Sequence, residues 1–207
     1  MTFGWTQHEG HAIALPAHNV DTDQLIPSRF MSTPRDEGYG KFLLHDLRRD
    51  ADGNEHKHFP LNRFRNASIL VTGRNFGSGS SREAAVYALV DAGIRAVLAP
   101  SFGDIFSSNA INNGMLPAQI SPEDHITLLS LLDDTSMLAQ ICLEKNHISI
   151  GDCSIAFELD PTWRTKLING WDDIDLTMQH GEDIKNHKKN LEQSAPWALP
   201  AANRQRS

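Results

Sequence analysis

One stretch limits the folds open to this chain more than any other, a strand–loop–helix–strand unit between residues 67 and 99. Ala67 to Thr72 (ASILVT) is short, apolar and β-branched, as a strand buried on both faces must be. Gly73 to Gly79 follows, with three glycines. Ser81 to Ala92 has helical period, with Ala84, Ala85, Ala88 and Leu89 available for one face, and Gly93 stands where a helix C-terminus ends. Ile94 to Ala99 (IRAVLA) reads as a second buried strand. Two neighbouring strands joined through a helix run parallel, because only a crossover connection of that length returns the chain to the same edge. The fold class is therefore α/β.

Weaker signals fill in the rest. Gly10 to Leu15 suits a strand, and Ser101 to Asn113 a helix closed by Gly114. Met115 to Ile120 reads as a strand despite Pro117. His147 to Leu159 reads as a hairpin turning at Gly151-Asp152. Residues 31–66 are the least regular part, with a short helix near Lys41 to Arg48; so long a connection is a functional loop or partly disordered. Asp172 to Gln193 is helical in character, and the chain after Ser194 reads as loose. These elements predict a mixed sheet flanked by helices over residues 1–165, then a C-terminal helical extension and tail over 166–207.

Charge and composition exclude several functions. The formal net charge is -7 and there is no long basic run, which argues against nucleic acid as a partner. An acidic chain can still bind a small acid, but only through local arginines. Two cysteines, Cys142 and Cys153, do not make a four-cysteine zinc or iron–sulfur site, and a disulfide between them has little support. No run of about 18 apolar residues exists and residues 1–10 are polar, so the expectation is a soluble, cytoplasmic protein without a membrane span. The histidines are scattered: His8-Glu-Gly-His11 lacks the H-E-x-x-H spacing and His56-Lys-His58 sits in a loop, so no metal site is expected.

The glycine-rich turn is where a local cationic site can form. In Gly73-Arg-Asn-Phe-Gly-Ser-Gly-Ser-Ser-Arg-Glu83 the glycines allow close backbone approach, the following helix offers free N–H groups, and Arg74 and Arg82 add fixed charge. Ser80 and Ser81 stand at the same point. The P-loop lysine, the third glycine of the dinucleotide fingerprint and the nucleophile-elbow spacing are all missing. What remains is a site for a small carboxylate or phosphate beside a hydroxyl. Ser80 and Glu83 also fit the capping box S-x-x-E, so Ser80 either caps the helix, carries chemistry, or does both. Asn19-Val-Asp-Thr-Asp23 is a second polar cluster, more polar than an Asx turn needs, and Ser101 to Gly114 is rich in Ser and Asn for a helix.

Four stretches in order, Asn19-Val-Asp-Thr-Asp-Gln-Leu-Ile-Pro27, Asn75-Phe-Gly-Ser-Gly-Ser-Ser-Arg-Glu83, Ala99-Pro-Ser-Phe-Gly-Asp-Ile-Phe106 and Asn112-Asn-Gly-Met-Leu-Pro117, together resemble the small subunits of 3-isopropylmalate dehydratases. These correspond to the swivelling domain of aconitase. Gly170-Trp-Asp-Asp-Ile-Asp-Leu-Thr177 and Pro196-Trp197 are similar to the longer bacterial form, so the resemblance spans roughly Gly10 to Trp197. It implies a swivelling-type β/β/α fold. It also implies a hydro-lyase that isomerises 2- and 3-isopropylmalate through 2-isopropylmaleate in leucine biosynthesis. No cofactor is implied on this chain; a [4Fe–4S] cluster is implied on a large partner subunit, in a heterodimer or larger complex. By position, Ser80 is the implied base, Arg82 with Ser81 the grip on a substrate carboxylate, and Asp23 a supporting group. Arg29 falls in the loop that helps choose the substrate side group.

Two departures bear on that choice. Ala84 stands where the family pattern has His, and Met31-Ser-Thr-Pro-Arg-Asp-Glu-Gly-Tyr39 replaces a Thr-Arg-Thr-Gly-like stretch. Phe30 and Met31 suit an isopropyl group; Arg29 or Arg35 would suit a third carboxylate. A related hydro-lyase acting on another substituted malate or citrate-like acid, and a stand-alone anion-binding regulatory module, are the alternatives. Trp163, Trp171 and Trp197 are expected to pack against the body or a partner.

Overall fold

The computed structural model describes residues 4–198. Seven strands form one mixed sheet in the order β4-β3-β2-β1-β5-β6-β7. They are β1 Gln7–Leu15, β2 Ala67–Thr72, β3 Ala96–Ala99, β4 Leu116–Gln119, β5 Ser136–Cys142, β6 His147–Ile150 and β7 Cys153–Ala156. β1 to β4 pair in parallel and β5 to β7 add antiparallel. The expected crossover is present: β2, then helix Glu83–Asp91, then β3. Gly93 has φ 92°, the left-handed geometry that ends such a helix without a Cβ penalty. The hairpin is also as read, with Gly151 at φ 56° between β6 and β7. β5 does not stand apart from its apolar surroundings in the sequence. Its burial alternates, since only one face of the antiparallel half is covered, and the signal is correspondingly weak.

The helices in chain order are α1 Thr22–Leu25, α2 His45–Arg48, α3 Pro60–Arg63, α4 Glu83–Asp91, α5 Asp104–Asn112, α6 Pro122–Leu131, α7 Pro161–Asn169, α8 Asp173–Met178 and α9 Gly181–Ser194. Two apolar clusters form the core. One gathers Ile13, Leu70 and Val97 with Ala85, Leu89 and Phe76; the other gathers Ile69, Val71 and Leu98 with Ile141, Ile148 and Leu128. Residues 31–66 are ordered as a run of short helical turns. Tyr39, Leu43, Leu44 and Leu61 insert into the first cluster, and Asp91 ties the segment down by accepting from Arg35 at 2.7 and 2.9 Å and from the Tyr39 N–H at 2.6 Å.

The chain divides into two compact units between Trp171 and Asp172. α7 straddles the expected boundary at 165/166, yet Leu167 is buried in the second cluster, so the helix belongs to the first unit. The second unit holds α8, capped by Asp172 in a capping box with Asp175, and α9. Trp197 is 85% exposed, whereas Trp163 packs against the second cluster. Residues beyond 198, part of the expected tail, lie outside the described residues. Among the described residues no helix is long and apolar enough to cross a membrane.

Candidate active site

The glycine-rich turn lies along the Asn19–Thr22 segment, and hydrogen bonds join the two. The Asn19 N–H donates to the Arg74 carbonyl (2.9 Å), Gly77 N–H to Val20 (2.7 Å) and Thr22 N–H to Ser78 (2.9 Å). A third strand of backbone closes the other side: Phe76 N–H donates to Ser101 (3.1 Å) and Gly103 N–H to Phe76 (2.9 Å). The three polar stretches singled out in the sequence thus meet at one place. Gly77 has φ 72°, and a Cβ there would overlap the Phe106 ring, so both conformation and space demand glycine.

A cavity of ≈ 180 Å³ opens at this junction, lined by Thr22, Gly77 to Ser80, Arg82 and the first turn of α5 from Gly103 to Phe106, with Asn109. Larger concavities exist elsewhere, but this one carries the hydroxyl–guanidinium pair. Ser80 is exposed at its edge. The Arg82 side chain is only 22% exposed and ion-paired to Asp23 through Nη1. A guanidinium has five donors, so the remaining N–H groups can meet a ligand carboxylate. The start of α5, which no side chain caps but which carries Asp104 in its first turn, forms part of the cavity wall.

The capping-box expectation for Ser80 is corrected by this geometry. Arg82, not Ser80, is the residue before α4, and no side chain caps that helix. A tight turn closed by Arg82 N–H on the Ser80 carbonyl (2.8 Å) takes up the residues a capping box needs, so the helix starts at Glu83. Glu83 accepts from the Asn113 amide instead (3.0 Å). The Ser80 hydroxyl therefore does not cap α4. Asp21 does behave as the turn reading implied: it caps α1 in a capping box with Gln24.

Other sequence candidates fall differently. Ser81 and Arg74 are exposed and do not line the cavity; the Arg74 N–H donates to His18 Nδ1 (3.1 Å). Arg29 is also off the cavity wall, where it lies over the Phe30 ring and is ion-paired to Asp46. The hydrogen bond from Arg29, and then one from His45, hold the Asp46 carboxyl down at about 2. Ala84 is buried in the first turn of α4, within the core. Cys142 and Cys153 are free thiols on β5 and β7, separated by β6. Two separated thiols do not supply an iron–sulfur ligand set, so a cluster does not fit this chain's own residues. Sequence reasoning missed Thr22, Asp104 and Asn109 as cavity walls. They lie inside the polar stretches, but no local pattern tells which side chain turns inward.

A mixed-sheet α/β domain with a small cavity at a glycine-rich bend is the aconitase C-terminal-domain type, and residues 3–123 match the Aconitase C-terminal domain family. Residues 173–201 match the family of C-terminal domains of the 3-isopropylmalate dehydratase small subunit. The 3-isopropylmalate dehydratase small subunit of Caulobacter vibrioides is 43% identical over 93% of this chain and 97% of its own length. That of Rhizobium etli is 45% identical over 91% and 96%, and that of Bacillus subtilis 42% over 92% and 96%. A crystal structure of 3-isopropylmalate dehydratase from Methanocaldococcus jannaschii superposes with a TM-score of 0.63 at 26% identity, covering 88% of this chain and 99% of that one. The chain belongs to the 3-isopropylmalate dehydratase small-subunit family.

Proposed function

We propose that this chain is the small subunit of a cytoplasmic hydro-lyase that interconverts 2- and 3-isopropylmalate through 2-isopropylmaleate, and that it acts only with a large subunit. The observation that carries the reading is the cavity between Ser80 and Arg82, with Arg82 tethered by Asp23. It is small and open, as expected of half a pocket that a partner completes.

In this reading Arg82 holds a substrate carboxylate through its free N–H groups. Ser80, as alkoxide, takes the proton from the carbon next to that carboxylate. The C–H electron pair becomes the new C=C bond as the hydroxyl on the neighbouring carbon departs. Addition of water across the same double bond in the opposite sense gives the isomer, with Ser80 returning the proton. Arg82 and the N-terminal end of α5 line the cavity with Ser80, and positive charge there favours the alkoxide over the neutral hydroxyl, offset in part by Asp23 and Asp104. A [4Fe–4S] cluster on the large subunit would supply Lewis-acid help to the leaving hydroxyl.

The substrate side group is argued from the loop after α1. Arg29 and Arg35 are each bound to a carboxylate of this chain, Asp46 and Asp91. In both, Nη1 and Nη2 are spent on that carboxylate, whereas Arg82 gives Asp23 only Nη1, so neither presents an open fork to a third substrate carboxylate. Met31 is 39% exposed and provides apolar surface. This supports an alkyl-substituted malate over a citrate-like acid. Co-expression with a large subunit of the family and an isomerisation assay tests the whole reading. Ser80→Ala should keep assembly and lower turnover by about two to three orders of magnitude, the scale of a lost general base. Near-normal turnover would remove Ser80 from the mechanism.

A further inference from the structure

We infer that Thr22 is a positioning residue that sets the orientation of Ser80; the inference rests on the reading of Ser80 as the base. Thr22 is 2% exposed and forms part of the cavity wall. It grips the bend on both sides of Gly79: its backbone N–H donates to the Ser78 carbonyl at 2.9 Å, and its hydroxyl donates to the Ser80 carbonyl at 3.0 Å. Gly79 between them has φ 95°, a conformation that favours glycine and is not held by a side chain of its own. Without the second contact, the peptide after Gly79 would have only the tight turn to Arg82 to hold it.

The backbone rungs joining the two segments end at Thr22 N–H, because the chain then enters α1. The Thr22 hydroxyl adds one more rung where the backbone no longer can. The next residue, Asp23, holds Arg82. One turn of helix therefore fixes the base through its carbonyl and the carboxylate grip through its guanidinium. The two contacts also set the spacing of these groups, which a proton transfer next to a bound carboxylate requires.

Thr22→Val separates this role from folding. Valine keeps the shape and the backbone bond to Ser78. The Ser80 carbonyl retains the Arg82 N–H as donor, so it is not left unsatisfied. The enzyme assembled with its large subunit is assayed on 2-isopropylmalate as wild type, Thr22→Val, Thr22→Ser and Ser80→Ala. A lost orientation lowers kcat roughly ten- to a hundredfold with KM within about twofold, and Thr22→Ser restores most of it. Assembly and melting temperature stay near wild type. Wild-type kcat in Thr22→Val, a change in KM alone, an equal loss in Thr22→Ser, or loss of assembly each overturns the inference. Ser80→Ala marks which idea has failed. If it is inactive while Thr22→Val is normal, only the positioning role falls; if it is active, the assignment of the base falls first.

Discussion

His125, on α6, is 6% exposed, and its Nε2 has no partner among the described residues. Its pKa lies below the ordinary 6.5, because burial and the nearby His18 disfavour the charged ring more than a hydrogen bond to the Thr72 backbone favours it. His8 is shifted the same way by burial and Arg95. The unfolded chain therefore takes up these protons first as pH falls. The stability they contribute is full above 6.5 and is lost as pH drops from there towards the folded pKa values. Denaturant melts at about pH 7.5 and about 5.5, on either side of the ordinary histidine value, should show this loss. His125→Leu should show a smaller one, and an equal loss would refute the assignment to His125. His125 also sits beside the start of the glycine-rich turn, since its hydrogen bond goes to Thr72 and His18 accepts from Arg74.

At the scale of elements, the turn between β2 and α4 is held from two sides, by the Asn19–Thr22 segment and by the backbone at Ser101–Gly103. Gly77 is the point of closest approach. Gly77→Ala must place a Cβ at positive φ and against the Phe106 ring, a strain of at least about 1–3 kcal/mol. Its expected outcome is a lowered melting temperature together with loss of isomerase turnover in the assembled enzyme. Unchanged stability would mean that Phe106 and the turn relax easily. Residues 31–66 make a similar point about ordering. They contain no long helix, yet Asp91 at the end of α4 anchors them through three hydrogen bonds, so the segment that lies after the Asp23 tether is not loose.

At the scale of the molecule, both core clusters lie, among the described residues, at or before Ile168. A chain ending at Trp171 should therefore unfold cooperatively, with a midpoint within roughly 3 °C of the full chain, the shift of a ~1 kcal/mol change in a domain of this size. A broad, non-cooperative melt would show that α8 and α9 are needed for the core. Much of this architecture was legible in the residues alone. β2, α4 with its closing Gly93, and the β6–β7 hairpin follow from apolar period and from glycine at positive φ, which act over a few neighbours. The glycine demand at Gly77 was legible for the same reason. β5 was not, because its alternation depends on which face the rest of the protein covers. Nor could local pattern show that Arg82 pairs with Asp23, that Arg29 and Arg35 are neutralised by Asp46 and Asp91, or that Thr22 reaches Ser80. Those contacts join residues far apart in sequence, and packing selects the partner. Short-range pattern marked the glycine-rich turn; the folded chain decided which side chains line the cavity beside it, because packing brings Thr22, Asp104 and Asn109 there from other elements.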